Sequence, residues 1–390
     1  MRVHRPHLLK LCAALCTIGL MAEMLIWHGA ITLDFKSEIH PLRGNFLYGQ
    51  ARNIIVNSDS DYHTDRIEEQ LAYEPAKLSA QPIVIYHPEG TAITPLGFAE
   101  FERKQCRVRN CFLTTLERHK KNAQVVFFSP TSLVSLEYRR PRGQLWIMRL
   151  LESPENTDSL KAYNGKINYT ASYRWDSDIV TPYLRWNASS KDVQNSSFAH
   201  LDYAKGKTKK VAWFVSHCLT NNRRREYALQ LQSYIEVDIY GDCGDRRIGK
   251  REGARMLKSD YKFYLSFENS NCRDYVTEKF FENALSNDVI PIVMGPSRQF
   301  YERIAPPHSF IHVDDFDGPK NLANYLYEID RNDALFNSYF KWKGMGTLMD
   351  SNFWCRLCAI VQHPPPKIYQ DIDSWWHKKD DCTSNRLRTV

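Results

Sequence analysis

The stretch FYLSFENSNCRDYVTEKFFENALSNDVIPIVMGPS, residues 263–297, decides the fold. It opens with an apolar, β-prone run, closes with a second one, and carries a helical pattern between them. Unbroken apolar runs are typical of strands that are buried on both faces of a parallel sheet. The stretch therefore predicts a strand–helix–strand unit of an α/β domain.

The same alternation continues on both sides of this stretch. Strands are predicted in KVAWFVSH (210–217), EVDIYGDCG (236–244), YKFYLSF (261–267), DVIPIVMG (288–295) and FIHVDDF (310–316), and helices in NNRRREYALQLQSYI (221–235), TEKFFENALSN (277–287) and NLANYLYEIDRN (321–332). Fully apolar strands separated by helices indicate a doubly covered parallel sheet. Residues 211–365 are therefore predicted to form a Rossmann-like domain.

A first α/β domain is predicted over residues 76–187. Its β runs are QPIVIYHP (81–88), NAQVVFFSP (122–130) and GQLWIMRLLESP (143–154), and residues 98–121 between the first two have a helix-and-loop pattern. The Ser-, Lys- and Asn-rich residues 188–210 predict a linker. Two such domains facing a cleft suit a nucleotide-sugar transferase, although a fold alone does not give a function.

The N-terminus has the pattern of a membrane segment. Residues 1–10 carry Arg2, Arg5 and Lys10, and residues 11–30 are apolar apart from Glu23 and the flanking His28. A positive flank before a marginal apolar stretch favours a cytosolic tail (1–10), a signal anchor (11–30) and a luminal body. A cleaved signal peptide is the alternative. Residues 31–75 lack periodicity and are predicted to be a stem.

Composition supports a secreted or luminal globular protein. The 390 residues have a formal net charge of +7 without a long Lys/Arg run, so no nucleic-acid partner is expected. Eight cysteines outside the anchor form an even set, which predicts four disulfides: Cys106, Cys111, Cys218, Cys243, Cys272, Cys355, Cys358 and Cys382. Acceptor sequons for N-glycosylation begin at Asn168, Asn187 and Asn195.

Charged side chains stand where strands end and helices begin, which is where ligands bind in such sheets. Lys279 and Arg224 at helix starts could neutralise a phosphate, and Glu278 could accept hydrogen bonds from sugar or ribose hydroxyls. The alternative is that Glu278 only complements the helix dipole while Lys279 and Arg224 are surface residues. Glu152 ends an apolar strand of the first domain, where a carboxylate could act as general base. Thr277 is a candidate N-cap, and Val276 with Phe281 a candidate hydrophobic staple.

Two patterns suggest metal sites, and both have another interpretation. Asp176-Ser177-Asp178 has the form of a D-x-D site, but it stands in the first domain without further carboxylates, so a structural role is favoured. Cys355 and Cys358 form one CxxC pair without a second pair, which favours disulfides over zinc. No metal site is predicted.

These motifs resemble the α-1,3-fucosyltransferases of glycosyltransferase family 10. The resemblance covers residues 83–382 through the stretch 263–285, its continuation 290–316, and the segments WIMRLLESP, SYRWDSDIVTPY and VAWFVSHCLTNNRRREYALQL in the same order. The segments WKGMGTLMDSNFWCRLCAIVQ and IYQDIDSWWHKKDDC are similar to the invertebrate and plant branch that modifies the chitobiose core of N-glycans.

The resemblance implies a two-domain GT-B fold and inverting transfer of fucose from GDP-β-L-fucose to O3 of GlcNAc. It implies that Glu152 is the base and that Arg224 and Lys279 bind the diphosphate. Glu278 would then hold fucose or ribose hydroxyls, and the nucleotide pocket would be lined by Tyr183, Ser216, Tyr264, Asn269 and Tyr275. No cofactor would be obligatory, although a divalent cation such as Mn²⁺ could stimulate turnover.

The resemblance also implies a single-pass type II protein of the Golgi membrane with GDP-fucose and an N-glycan acceptor as partners. Family members have a cysteine pair near Ala212 and Tyr261. The resemblance therefore suggests a substitute Cys218–Cys272 bridge, bridges from Cys355 and Cys358 to Cys106 and Cys111, and a Cys243–Cys382 bridge. Residues 366–390 would pack back on the body. The rival functions are an outer-chain lactosamine fucosyltransferase and a catalytically idle glycan-binding protein.

Overall fold

The computed structural model describes residue 55 and residues 64–91, 93–131, 138–188 and 201–383. The predicted cytosolic tail and anchor, most of the predicted stem, and Asn195 lie outside the described residues. Within these ranges, none of the helices is both long and apolar enough to cross a membrane.

Strands and helices alternate through most of the described chain. The strands are β1 (Ile83–Tyr86), β2 (Cys111–Thr114), β3 (Val125–Phe128), β4 (Leu145–Leu150), β5 (Tyr169–Ser172), β6 (Ile179–Val180), β7 (Arg185–Ala188), β8 (Lys209–Phe214), β9 (Val237–Tyr240), β10 (Tyr261–Phe267), β11 (Asn271–Cys272), β12 (Ile290–Met294), β13 (Ile311–His312), β14 (Gly346–Met349) and β15 (Cys382–Thr383). The α-helices are α1 (Ile67–Ala72), α2 (Ala99–Arg103), α3 (Arg224–Gln232), α4 (Lys250–Ser259), α5 (Arg298–Ile304), α6 (Pro319–Asp330), α7 (Asp333–Ser338), α8 (Phe353–Ile360) and α9 (Ile372–Trp376). A π-helix spans Lys279–Ala284, and 3₁₀ turns span Glu117–His119, Pro154–Asn156, Lys161–Tyr163, Leu285–Asn287 and Val313–Asp315.

The first sheet has six parallel strands in the order β2-β1-β3-β4-β5-β6. All residues of β1 and β3 are buried, as their unbroken apolar sequences predict. β2 falls inside the segment predicted as helix and loop. Its four residues are too few to show a period, and the sheet determines their conformation.

The second sheet has five parallel strands in the order β13-β12-β10-β8-β9. All seven residues of β10 are buried, and the strand has the bounds predicted from the sequence. From β8 the chain runs first to β9 on one side and later to β10 on the other. The strand order therefore reverses between β8 and β10. Together the two sheets confirm the predicted fold of two parallel-sheet α/β halves.

Two segments belong to the first half although the predicted boundaries placed them elsewhere. α1 lies inside the predicted stem, yet Ile67 is fully buried and the helix packs on α8. α8 lies inside the predicted second domain, but Leu357 and Ile360 share a buried core with Ile83 and Ile85 of β1. The C-terminal segment does pack on the body, because Ile372 and Trp376 of α9 join the core on the other face of the first sheet.

Four disulfides form, using all eight predicted cysteines. Cys106–Cys355 and Cys111–Cys358 tie α8 to the first half, as expected. The other two expected pairings are wrong, because the bridges are Cys218–Cys243 and Cys272–Cys382.

Two pieces of topology explain this difference. The loops after β8 and β9 are neighbours because these strands are paired, so Cys218 meets Cys243. The chain terminus returns as β15, which pairs with β11 in a register that places Cys382 opposite Cys272.

Candidate active site

The crevice between the carboxyl ends of β8 and β10 is the place where open α/β sheets bind ligands. β8 leads to the exposed Ser216, and β10 leads to Glu268, which is completely buried. Arg224 is the first residue of α3 and lies in the same crevice. β8, β10 and α3 therefore bring the Ser216 hydroxyl, the Glu268 carboxylate and the Arg224 guanidinium to the crevice where the strand order reverses.

Glu152 stands just beyond β4 and is held by residues of the second half. Its Oε1 accepts hydrogen bonds from the Tyr275 hydroxyl at 2.7 Å, from Asn269 Nδ2 at 3.1 Å and from the backbone N–H of Ser153 at 2.8 Å. The residue is exposed, as a base that must reach a substrate hydroxyl has to be. Burial raises the pKa of Tyr275 far above its usual value of 10, with Glu268 and Glu152 adding to the shift, so the hydroxyl remains a donor.

A buried polar network joins the loop after β4 to the loop after β10. The Ser153 and Ser270 hydroxyls lie 2.8 Å apart, and Asn156 Nδ2 donates to both at 3.0 and 3.1 Å. Both serines are completely buried. Since buried hydrogen bonds fix geometry, this network sets the position of Glu152 relative to the second half.

Lys279 is held by two carboxylates at the edge of the crevice. Its Nζ lies 2.9 Å from Thr277 Oγ1, 3.1 Å from Glu278 Oε1 and 3.3 Å from Glu268 Oε2. Burial alone would lower the pKa of Lys279, but Glu268 and Glu278 raise it overall. Burial likewise would raise the pKa of Glu278, but Lys279 lowers it overall. Lys279 and Glu278 therefore stay charged over the whole physiological pH range.

Lys279 begins a π-helix where the sequence predicted an α-helix. Thr277 is not a regular N-cap, because its hydroxyl donates to both oxygens of the Glu268 carboxylate, at 3.0 and 2.8 Å. Its N–H also donates to Glu268 Oε1 at 2.8 Å. The apolar side chains of this segment are buried, with exposures of 0 or 1% for Phe280, Phe281, Ala284 and Leu285. π-helical turns occur often at functional sites.

Arg224 is buried and joins two loops of the crevice. Its Nη1 donates to the carbonyl oxygen of Phe267 at 2.7 Å and its Nη2 to that of His217 at 2.8 Å. Its Nε has no hydrogen-bond partner among the described residues, and the same holds for Asn269 Oδ1 and Asn271 Nδ2 nearby. Burial lowers the pKa of Arg224, and Glu268 opposes this shift. Buried polar atoms without partners are expected where a polar ligand binds.

A cavity of about 610 Å³ opens beside this crevice. Its wall has an apolar part with Phe214, Ile248 and Leu257, and a polar part with Ser216, Glu278 and Asn283. Gly241 also lines it with φ of +98°, and a Cβ there would collide with the carbonyl group of Val215. A size of this order and mixed walls suit a ligand with both an aromatic base and hydroxyl groups.

Two tyrosines were predicted to line the nucleotide pocket. Tyr183 lies next to the proposed base, and Tyr264 lies next to the cavity. The Tyr183 hydroxyl donates to the carbonyl oxygen of Leu151 at 2.8 Å, one residue before Glu152. Tyr264 is completely buried, accepts a hydrogen bond from Asn283 at 3.3 Å and packs edge-on against Phe214. Tyr264 therefore supports two residues of the cavity wall from beneath.

Asp176 and Asp178 are both engaged inside the fold. Asp176 accepts hydrogen bonds from Arg174 and Arg273. Asp178 is completely buried and accepts from Thr170 and Lys367. Among the described residues, no group of three or more His, Cys, Asp or Glu side chains is placed to hold a metal ion.

Two predicted glycosylation sites can be compared in the structure. The Asn168 amide is used at both ends, since Nδ2 donates to the carbonyl oxygen of Lys367 and Oδ1 accepts from the N–H of Trp146, each at 2.9 Å. The predicted acceptor role of Asn168 conflicts with this packing. Asn187 lies in β7 and is exposed, as a glycan acceptor has to be.

Sequence reasoning did not assign several residues that build the site. These are Glu268, Ser153, Ser270 and Asn156, whereas Thr277 was predicted only as an N-cap. Glu268 had a usable signal, because a carboxylate directly after a mostly apolar, buried strand stands at the ligand edge of the sheet. The small polar residues had none, since only the meeting of the two loops gives them partners.

Two protein-family models match the chain. The model described as "Fucosyltransferase, N-terminal" matches residues 79–184. The model described as "Glycosyltransferase family 10 (fucosyltransferase) C-term" matches residues 204–375. Each match contains all the strands of one of the two large sheets.

Curated relatives and solved structures agree with this match. Glycoprotein 3-alpha-L-fucosyltransferase A of Drosophila melanogaster is 41% identical over 348 residues, which cover 84% of this chain and 68% of that protein. The 4-galactosyl-N-acetylglucosaminide 3-alpha-L-fucosyltransferase of Homo sapiens is 40% identical over 261 residues, which cover 64% of this chain and 69% of that protein. A crystal structure of an alpha1,3-fucosyltransferase with GDP has a TM-score of 0.50 at 16% identity and covers 78% of this chain and 97% of that chain, which supports the fold.

Proposed function

Since the chain belongs to glycosyltransferase family 10, a family of fucosyltransferases, we propose that it is an inverting α-1,3-fucosyltransferase. The donor is GDP-β-L-fucose, and the acceptor is O3 of a GlcNAc in the core of N-glycans. The observation that carries the proposal is the position of Glu152. An exposed carboxylate of the first half is fixed by Asn269 and Tyr275 of the loop that leads to Glu278 and Lys279.

The chemistry follows from these positions. Glu152 takes the proton of the acceptor O3, the oxygen attacks C1 of fucose, and the bond from C1 to the phosphate oxygen breaks. Negative charge grows on the departing GDP, and Lys279 and Arg224 stabilise it from the crevice. Cations fixed in place before the reaction lower the barrier, since they need no reorganisation in the transition state.

The proposed donor site is the cavity beside Ser216 and Glu278. The apolar wall suits the guanine base, and Glu278 can accept hydrogen bonds from ribose or fucose hydroxyls. No metal ion is obligatory in this proposal, because the side chains of Lys279 and Arg224 neutralise the diphosphate. A stimulating effect of Mn²⁺ on turnover is compatible with it.

Two observations favour the N-glycan core over an outer-chain acceptor. The fly relative is named for action on glycoproteins and aligns with 84% of this chain. The human relative, named for a galactosyl-N-acetylglucosaminide acceptor, aligns with 64% of this chain.

We further propose that the chain is a single-pass type II protein of the Golgi membrane, anchored by residues 11–30. Protease protection in isolated vesicles would test this proposal.

A panel of defined N-glycans tests the acceptor. The protein is incubated with GDP-fucose and each glycan, and mass spectrometry locates the added fucose. Addition to a core GlcNAc supports the proposal, while addition only to lactosamine antennae would replace the acceptor. No GDP release with any glycan would instead favour a glycan-binding protein without catalysis.

Glu152→Gln tests the base. The amide keeps the size of the side chain but cannot take the proton, so transfer should fall at least about 10³-fold, in the upper range for general-base catalysis. GDP-fucose affinity, measured by calorimetry, should change little. Normal transfer by this variant would show that another group is the base.

A further inference from the structure

A second cavity, of about 240 Å³, lies on the other side of the π-helix from the proposed nucleotide pocket. Phe281 lines this cavity, whereas its neighbours Glu282 and Asn283 line the larger one. Residues of both halves form its wall, from residues 173–186 on one side and residues 274–304 on the other. Its volume lies below the roughly 300–1,000 Å³ of pockets for drug-sized ligands, so it suits one small ring better than a nucleotide.

The cavity begins one tyrosine away from the proposed base. Tyr173 lines it, and the Tyr173 hydroxyl lies 3.4 Å from the carbonyl oxygen of Glu152. Pro182 and Leu184 also line it, and Tyr183 between them donates to Leu151. Two hydrogen bonds therefore connect the wall of this cavity to the backbone at residues 151 and 152, the position of the proposed base.

The wall chemistry is that of a carbohydrate site. The Trp175 ring packs edge-on against Phe300 with centroids 5.6 Å apart, and the Arg303 guanidinium lies 5.9 Å from the Trp175 ring. Asp274 lines the same space, with one carboxylate oxygen accepting from the backbone N–H of Trp175 at 3.1 Å. Aromatic faces pack against the apolar C–H faces of sugar rings, while carboxylates and guanidinium groups bind sugar hydroxyls.

From this combination we propose that the second cavity binds a further sugar ring of the acceptor glycan, next to the ring that receives fucose. This proposal rests on the proposed function, since it places the reacting ring at Glu152. It makes Trp175 and Arg303 determinants of acceptor specificity, with no part in the bond-breaking step.

Two cavity variants and one matched control test it by kinetics. Arg303→Ala and Trp175→Ala should raise the KM for an asparagine-linked N-glycan about tenfold, the effect of losing one good contact. The KM for GDP-fucose and kcat should stay within about twofold. Arg298→Ala is the control, because Arg298 is on the same helix α5 but pairs with Glu302 and Asp315 away from the cavity. Equal glycan KM values in all three variants would overturn the proposal.

Effects of these variants on folding and on catalysis can be distinguished from an effect on glycan binding. Arg303 is exposed, so its truncation leaves the core intact even if Trp175→Ala lowers the melting temperature. Saturation-transfer NMR with the unreacted N-glycan and GDP reads contact without turnover. The glycan signals should weaken in Arg303→Ala while the GDP signals persist, and unchanged glycan signals would contradict the proposal. Absence of product with the unmodified protein would contradict the proposed function and leave this NMR comparison valid.

Discussion

The hydroxyl of Tyr275 has a role that its place in the sequence does not reveal. It donates to Glu152 at 2.7 Å and is buried between the two halves. Because burial keeps the pKa of this tyrosine far above 10, the hydrogen bond persists across the working pH range. Tyr275 therefore orients the proposed base.

Tyr275→Phe should lower kcat about 10- to 100-fold with little change in the KM for GDP-fucose. A hydrogen bond to a charged group contributes roughly 1.5–3 kcal/mol, which corresponds to a fall of this size. Steady-state kinetics with both substrates varied would measure the two effects separately.

Tyr227→Phe is the matched control for this substitution. Tyr227 is buried in α3, and its hydroxyl has no hydrogen-bond partner among the described residues. Removing it should leave kcat unchanged. A similar fall in kcat for both variants would mean that Tyr275 acts through general packing.

A site residue can be predicted from the sequence when its position follows from the end of a single strand or helix. Glu152, Arg224 and Lys279 each stand at an element end, and each lies at the crevice. The side chains with which the site residues form hydrogen bonds could not be predicted. The contact between Tyr275 and Glu152 joins residues 123 positions apart, and Ser270 gains its role only by meeting Ser153.

At the scale of elements, the loop after β5 is held to the chain terminus by charge. Asp176 pairs with Arg174 and with Arg273, and both arginines pair with Asp381 just before β15. Burial alone would raise the pKa of Asp176, but Arg174 and Arg273 lower it overall below its usual 3.8. The ion pairs therefore stabilise the fold above about pH 4 and lose strength as the pH falls through the folded-state pKa.

Asp176→Asn should lower the free energy of unfolding by about 3–5 kcal/mol at pH 7, since it leaves two arginines short of a buried partner. Urea unfolding at pH 7 and below pH 4 would measure it, and the gap to the unmodified protein should narrow in acid. EDTA should leave the melting temperature of the unmodified protein unchanged. A clear fall with EDTA, restored by Mn²⁺, would instead support a metal-binding role for Asp176 and Asp178.

The disulfides that the resemblance mispaired give a second test among the elements. Cys272–Cys382 closes 110 residues, whereas Cys218–Cys243 closes 25. In the chain-entropy model, removal of the first pair by Cys→Ser changes should cost about 1 kcal/mol more than removal of the second. Thermal unfolding of the two double variants would compare them. A larger loss for Cys218–Cys243 would show that local packing outweighs loop length.

Elements with a long apolar pattern were predictable, and short ones were not. The seven residues of β10 match their predicted bounds because the run is long and mostly apolar, as is typical of a strand covered on both faces. β2, β11 and β15 have four residues or fewer, and pairing partners far away in sequence decide them. The π-helix shows a further limit, since its side-chain pattern is the same as that of an α-helix over six residues.

For the whole molecule, the sequence separates two sheets correctly but misplaces the ends of the first half. Apolar strands show the sheets, and each family model spans the strands of one sheet. α1 and α8 come from opposite ends of the chain and complete the first half together. No local pattern indicates this, because each helix is short and its burial depends on the other.

The body of the enzyme therefore begins before residue 76, where the predicted stem would end. Ile67 is completely buried, and Gln70 both donates to the carbonyl oxygen of Asp178 and accepts from the buried Arg356 at 2.8 Å. A chain starting at residue 76 would expose the surface that Ile67 covers and deprive Arg356 of a partner. Burial of an isoleucine contributes about 1.5–3 kcal/mol, and an orphaned buried donor costs about 1–3 kcal/mol.

A chain starting at residue 76 should thus unfold with a free energy lower by about 3–6 kcal/mol than one starting at residue 45, which keeps every described residue. Urea unfolding of both chains measures the difference, and Ile67→Ala in the longer chain should reproduce about half of it. Fucosyl transfer should persist in the longer chain, because the site lies in residues 152–283. Equal unfolding midpoints for the two chains would show that residues 67–72 belong to the stem and do not stabilise the folded enzyme.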